Sequence, residues 1–127
     1  MSTKYVVDSW AWIEYLDGSE IGKKVAMKLK AQEVFTNIVT IAEVISKVGR
    51  KQKDPDIAFR AMTSLSNIVA GDDEFAKRVG LLHSGVKKEV PNFSLGDAFT
   101  LYTAKSLSAK VLTGDPDFKG IKEAEML

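Results

Sequence analysis

The chain has 127 residues, 45% of them hydrophobic and 28% charged, with a formal net charge of +1. That length suits a single domain, 1–127, burying roughly two-thirds of the surface its unfolded chain exposes, and the small net charge means that any nucleic-acid contact must rest on local clusters of cations. There is no cysteine, which excludes disulfides, zinc ribbons, thiol nucleophiles and iron–sulfur clusters and leaves oxygen ligands and one imidazole for chemistry. No apolar run approaches the ~20 residues that span a bilayer, and the N-terminus lacks the apolar segment of a secretory signal, so a cytoplasmic protein without membrane contact is expected.

Tyr5-Val6-Val7 is a β-rich run ending on Asp8, and Ser9-Trp10-Ala11-Trp12 begins a helical pattern. Ile13 and Leu16 continue this helix until Asp17-Gly18-Ser19 breaks it. A second helix is expected over Glu20 to Lys30, with a blurred apolar face of Ile21, Val25, Met27 and Leu29. Val34-Phe35-Thr36 is the next strand. Thr40 and Glu43 have capping-box spacing, so a helix is expected to start near Thr40. Asp54-Pro55 opens another, with Ile57, Ala58, Ala61, Met62 and Leu65 as its inner face.

Asn67-Ile68-Val69 reads as a third strand, and the acids Asp72, Asp73 and Glu74 suit the first turn of a helix running to about Lys88. Ser94 caps a helix from Leu95 to about Ser108, Lys110 to Thr113 forms a fourth strand, and Ala124 to Leu127 is a candidate fifth. Short apolar strands separated by helices point to an α/β fold with a parallel sheet of four or five strands covered on both faces. Ligands bind such sheets beyond the carboxyl ends of the strands, at the switch point of the strand order.

Four acids fall there: Asp8, Glu43, Asp97 and Asp115. Each has a purely structural explanation as well. Asp8 or Ser9 can cap the first helix, Thr40-x-x-Glu43 and Ser94-x-x-Asp97 match capping boxes, and Asp115-Pro116 can form an Asx turn. Four carboxylates in one cleft, however, would repel one another and call for a cation.

Val-Val-Asp-Ser at Asp8, Thr-Ile-Ala-Glu-Val at Glu43, Ser-Leu-Gly-Asp-Ala-Phe at Asp97 and Leu-Thr-Gly-Asp-Pro-Asp-Phe at Asp115 resemble the four acidic motifs of PIN-domain nucleases. In length and motif order the chain is most similar to VapC-type toxin ribonucleases of toxin–antitoxin pairs. The resemblance implies a doubly wound PIN-like fold and a Mg²⁺- or Mn²⁺-dependent ribonuclease. Asp8, Glu43, Asp97 and Asp115 would form the catalytic, metal-binding centre for one or two ions, with Asp117 as a further candidate ligand. Thr113 matches the hydroxyl residue common before the last acid, while Gly114 departs from the polar residue often found there. Ser9 is a candidate to orient Asp8 or a water. The resemblance further implies an RNA substrate, a cognate antitoxin and a homodimer, for which the helices around Ile21–Leu29 and Ile57–Leu65 are the candidate interface. Its rivals are a PIN nuclease of RNA processing or DNA flaps that has no antitoxin, and a PIN-like binding module without catalysis.

The chemistry of the side chains agrees with such a centre, since hard oxygen ligands favour Mg²⁺ or Mn²⁺ over zinc or copper. His83 lies among Val79, Leu82 and Val86 on a helix and is assigned to packing or surface. Trp10 and Trp12 both lie near the proposed cleft in sequence, where stacking on an RNA base is open to them, but they cannot share one helix face; at least one is expected in the core, and neither is assigned to the site. Lys23, Lys24, Lys28 and Lys30, and Lys47, Arg50, Lys51 and Lys53, form two cation clusters.

Overall fold

A computed structural model describes residues 3–30 and 33–127; positions 1, 2, 31 and 32 of the expected 1–127 domain lie outside the described residues. The elements in order are β1 (Lys4–Val7), α1 (Ser9–Asp17), α2 (Glu20–Lys28), β2 (Glu33–Asn37), α3 (Ile38–Arg50), α4 (Pro55–Leu65), β3 (Asn67–Val69), α5 (Asp73–Val86), α6 (Leu95–Leu107), β4 (Lys110–Thr113), a 3₁₀ turn (Pro116–Phe118) and β5 (Ala124–Met126). The five strands form one parallel sheet in the order β3-β2-β1-β4-β5. The chain winds outward from β1 to β3 and then returns to β4 on the other side of β1. The doubly wound α/β architecture expected from the sequence is therefore the one observed.

Alternation along β1 separates the two faces. Tyr5 and Val7 point into one core with Trp12, Val25, Val44 and Met62 from α1 to α4, whereas Val6 points into the other with Val79, Leu101 and Phe93. Every strand of the sheet's middle is thus covered on both sides, which is why the strands read as apolar runs without polar alternation. Among the described residues no helix is long and apolar enough to cross a membrane.

Several boundaries differ from expectation for identifiable reasons. Helix α3 starts at Ile38, not near Thr40, because Asn37 ends β2 and caps the helix at once, its Oδ1 accepting from the Val39 N–H at 2.8 Å. Thr40 is fully buried, and Glu43 lies in the second turn, so the capping box read at these positions does not form. On α4, Ala58 and Met62 are buried, but Ile57 and Leu65 are exposed, as is Phe59. The inner face is narrower than the five apolar residues suggested. Helix α2 ends at Lys28, with Val25 and Leu29 buried and Met27 67% exposed. Asp54, Asp72 and Ser94 each cap the helix they precede.

Candidate metal centre

β1 and β4 are neighbours in the sheet but far apart in sequence, and the crevice at their carboxyl ends is the switch point of the fold. Asp8 occupies the N-cap position of α1, yet its side chain makes no cap hydrogen bond. The carboxylate turns instead toward β4, where the Thr113 hydroxyl donates to Oδ2 at 2.8 Å. The Asp8 N–H, meanwhile, donates to the Leu112 carbonyl at 3.1 Å. Thr113 has a second role. Its Oγ1 accepts from the Asp115 N–H at 3.0 Å, so one hydroxyl ties the loop after β4 to the acid after β1.

Asp115 in turn accepts from the Asp117 N–H at 2.9 Å, forming the Asx turn that its sequence allowed. Phe118 anchors this loop. It is fully buried, with its ring centroid 5.3 Å from that of Phe93. Asp97 combines two functions as well. With Ser94 it completes a reciprocal capping box, accepting from the Ser94 N–H at 2.9 Å, while its carboxylate lies in a group with Asp115 and Asp117 in which one oxygen from each lies within 4.8 Å of the others. Capping and clustering are compatible, because a carboxylate has two oxygens to offer.

Glu43 reaches the same place from α3. A β-carbon at Gly96, the residue before Asp97, would collide with the Glu43 carboxylate, so the bare glycine leaves the space that this side chain fills. Below these residues a polar seam joins α3 to α6. Thr40 and Thr100 share a hydrogen bond at 3.3 Å, and the Asn37 amide donates to Thr103 Oγ1 at 3.0 Å, all four residues being fully buried. Three steps up α3 match three steps down α6, so the next rung is Glu43 with Asp97. Sequence reading missed this seam, since its only signal lies in pairing positions sixty residues apart.

Burial and mutual repulsion both act on these acids. Burial pushes the Asp8 carboxyl up to about 7 against the opposing Thr113 hydrogen bond, with Asp97, Glu43 and Asp115 adding repulsion. Burial and then Asp97 raise Glu43 to about 7. Asp97 is raised by burial, opposed by Ser94, with Asp115 and Asp117 contributing further. Such a group of oxygen donors, two of them pushed up toward neutrality chiefly by burial, fits a hard divalent cation.

The other candidates are distributed as follows. Ser9 lines a cleft beside the acids, as do Trp10, Glu43 and Asp115. Trp12 is in the core, its indole N–H donating to Thr36 Oγ1 at 3.1 Å. His83 Nε2 pairs with the Phe93 carbonyl at 2.9 Å and is not part of the carboxylate group.

An all-parallel, doubly wound sheet that gathers carboxylates at its switch point defines an α/β protein with an acidic centre of the kind that holds divalent cations. The PIN domain family profile matches residues 5–124, and the chain belongs to the PIN-domain family. Comparison with curated proteins found no match. Among solved structures the fold is similar to that of a VapC toxin from Mycobacterium tuberculosis that cleaves the sarcin–ricin loop, at 14% identity and a TM-score of 0.77 over 97% of this chain and 98% of that one. A toxin–antitoxin complex from Klebsiella pneumoniae matches at 22% identity and a TM-score of 0.75 over 97% of each chain. DNA-bound VapBC from Salmonella typhimurium matches at 15% identity and a TM-score of 0.71, over 98% of this chain and 97% of that one.

Proposed function

We propose that the protein is a divalent-metal-dependent endoribonuclease that hydrolyses phosphodiester bonds in structured RNA and acts as the toxin of a toxin–antitoxin pair. The observation that carries this reading is the grouping of one oxygen each from Asp97, Asp115 and Asp117 within 4.8 Å, beside buried Asp8 and half-buried Glu43. Membership of a nuclease family supports hydrolysis. The toxin role, an antitoxin partner and an RNA substrate are supported by the toxins and toxin–antitoxin complexes that share the fold.

Asp8, Glu43, Asp97 and Asp115, joined by Asp117, would hold one or two Mg²⁺ or Mn²⁺ ions. Such an ion, when bound, supplies activation of a water and stabilisation of the leaving oxygen in an in-line displacement. The chain's own residues position the ligands. Thr113 directs one oxygen of Asp8 and fixes the Asp115 main chain, Ser94 holds one oxygen of Asp97, and the Asp117 N–H holds one oxygen of Asp115. Proton transfer falls to the carboxylates, because His83 is engaged elsewhere.

Exposed apolar residues on α2 (Met27) and α4 (Ile57, Phe59 and Leu65) provide the faces for the proposed homodimer. A monomeric mass by sedimentation equilibrium would reject it. The nuclease reading is tested on the purified, metal-stripped protein with an end-labelled structured RNA. Cleavage should require added Mg²⁺ or Mn²⁺ and vanish in Asp97→Asn; cleavage that persists in excess EDTA overturns it. Induced expression that leaves growth unaffected would remove the toxin assignment alone.

A further inference from the structure

A cleft of about 530 Å³ opens beside the acidic centre and shares Glu43 and Asp115 with it. This size lies within the ~300–1,000 Å³ range of small-ligand sites. On one wall, α3 presents Glu43, Lys47 and Arg50 at helical spacing i, i+4 and i+7, which places the two cations about 6 and 10 Å farther along the axis than the acid. The ion pairs among the described residues use Lys23, Lys28, Lys53, Arg78 and Lys105 and neither Lys47 nor Arg50, whose Nε donates only to the Ser46 carbonyl of its own helix at 3.3 Å.

Trp10 also lines the cleft, and its position depends on a particular glycine. The benzene portion of the indole occupies the space that a β-carbon on Gly114 would fill, so the missing side chain seats the ring against the loop that carries Asp115. Trp10 is only partly buried and lines the cleft, in contrast to Trp12 two residues on, which is fully buried and hydrogen-bonded to Thr36. A partly exposed indole and two cations therefore line one cleft with Glu43 and Asp115.

Resting on the ribonuclease reading above, we propose that this cleft binds an unpaired nucleotide adjacent to the scissile phosphate, with its base stacked on Trp10 and its outward phosphate held by Lys47 and Arg50. Stacking on an indole needs an exposed base face but reads no particular base, and cations spaced away from the acids draw the backbone past the metal centre. The cleft then selects single-stranded positions within a structured RNA.

The test measures binding in EDTA, where turnover is absent, using a short fluorescein-labelled oligouridylate and, as control, a fully paired RNA duplex. Trp10→Leu should weaken oligouridylate binding about tenfold or more, the scale of losing one base-stacking ring, with Trp10→Phe restoring most of it and duplex binding unchanged. Lys47→Ala combined with Arg50→Ala, both on an exposed helix face and safe for folding, should weaken binding and lower the slope of log affinity against log salt by about 1 to 2. Wild-type affinity in Trp10→Leu, an unchanged slope in the double variant, or no oligouridylate binding by the wild type each overturns the proposal. Mg²⁺-dependent cleavage, assayed in parallel, separates the two readings. Cleavage with Trp10-independent binding rejects the subsite alone, whereas Trp10-dependent binding without cleavage rejects the nuclease alone.

Discussion

Thr40 and Thr100 hydrogen-bond to each other at 3.3 Å in the buried seam between α3 and α6, one rung below Glu43 and Asp97. The pair sets the distance between two helices that each deliver an acid. Thr40→Val keeps the volume but leaves the Thr100 hydroxyl short of a buried partner, so it should cost about 1–3 kcal/mol. Adding Thr100→Val should recover much of that loss, since replacing both partners by apolar groups is close to neutral. Urea denaturation of the two single variants and the double variant gives the coupling directly; additive losses would show that the hydroxyls do not interact.

Asp8 gives a second prediction, in which stability and activity move in opposite directions. Asp8→Asn retains an acceptor for Thr113 while removing a buried charge, and should stabilise the metal-free protein at pH 8 by on the order of 1–3 kcal/mol. RNA cleavage should fall by at least a hundredfold, roughly 2.7 kcal/mol of barrier. Thermal melts and single-turnover cleavage on the same sample report both.

The raised carboxyls of Asp8 and Glu43 define a pH window. Folded, each keeps its proton up to about pH 7; unfolded, each loses it near pH 4. The folded state therefore binds more protons between about pH 4 and 7, and stability contributed by these groups is lost as pH rises through that window. Melting temperature of the metal-free protein should fall from pH 5 to pH 7.5, and saturating Mn²⁺ should flatten the decline by binding the folded, ionised form. A melting temperature that rises steadily to pH 7.5 without metal would contradict the assignment.

Gly96 offers a test that spares the fold. Gly96→Ala gains roughly 0.5–1 kcal/mol of helix preference, but its methyl group enters the space of the Glu43 carboxylate, whose flexible side chain can move aside. Melting temperature should hold or rise while cleavage drops about tenfold or more. Unchanged cleavage would mean that the location of Glu43 does not matter.

Much of the fold was legible because its signals are local. Apolar runs ending on Asp8 and Thr113, the caps at Asp54, Asp72 and Ser94, and the alternation of strand with helix are all short-range patterns, and they lead to the doubly wound sheet. Local reading went astray at Thr40 and Glu43, where a capping-box spacing coincides with a buried hydroxyl paired across the molecule. It also overcounted the inner face of α4, because Ile57 and Leu65 are apolar but outward-facing. The acids of the candidate centre could be named singly, but the bifunctional hydroxyl of Thr113 and the spaces left by Gly96 and Gly114 exist only between segments distant in sequence.

The bond from Thr113 to Asp8 spans 105 positions, and this has a bearing on when the chain becomes active. During synthesis β1 emerges first but remains an unpaired edge on one side until β4 has left the ribosome, while Asp97 comes on the helix just before β4 and Asp115 and Asp117 follow it. A nascent chain carrying Asp8 and Glu43 alone has neither the switch point nor the carboxylate group. The carboxylate site thus stays unassembled until nearly all of the chain has been made.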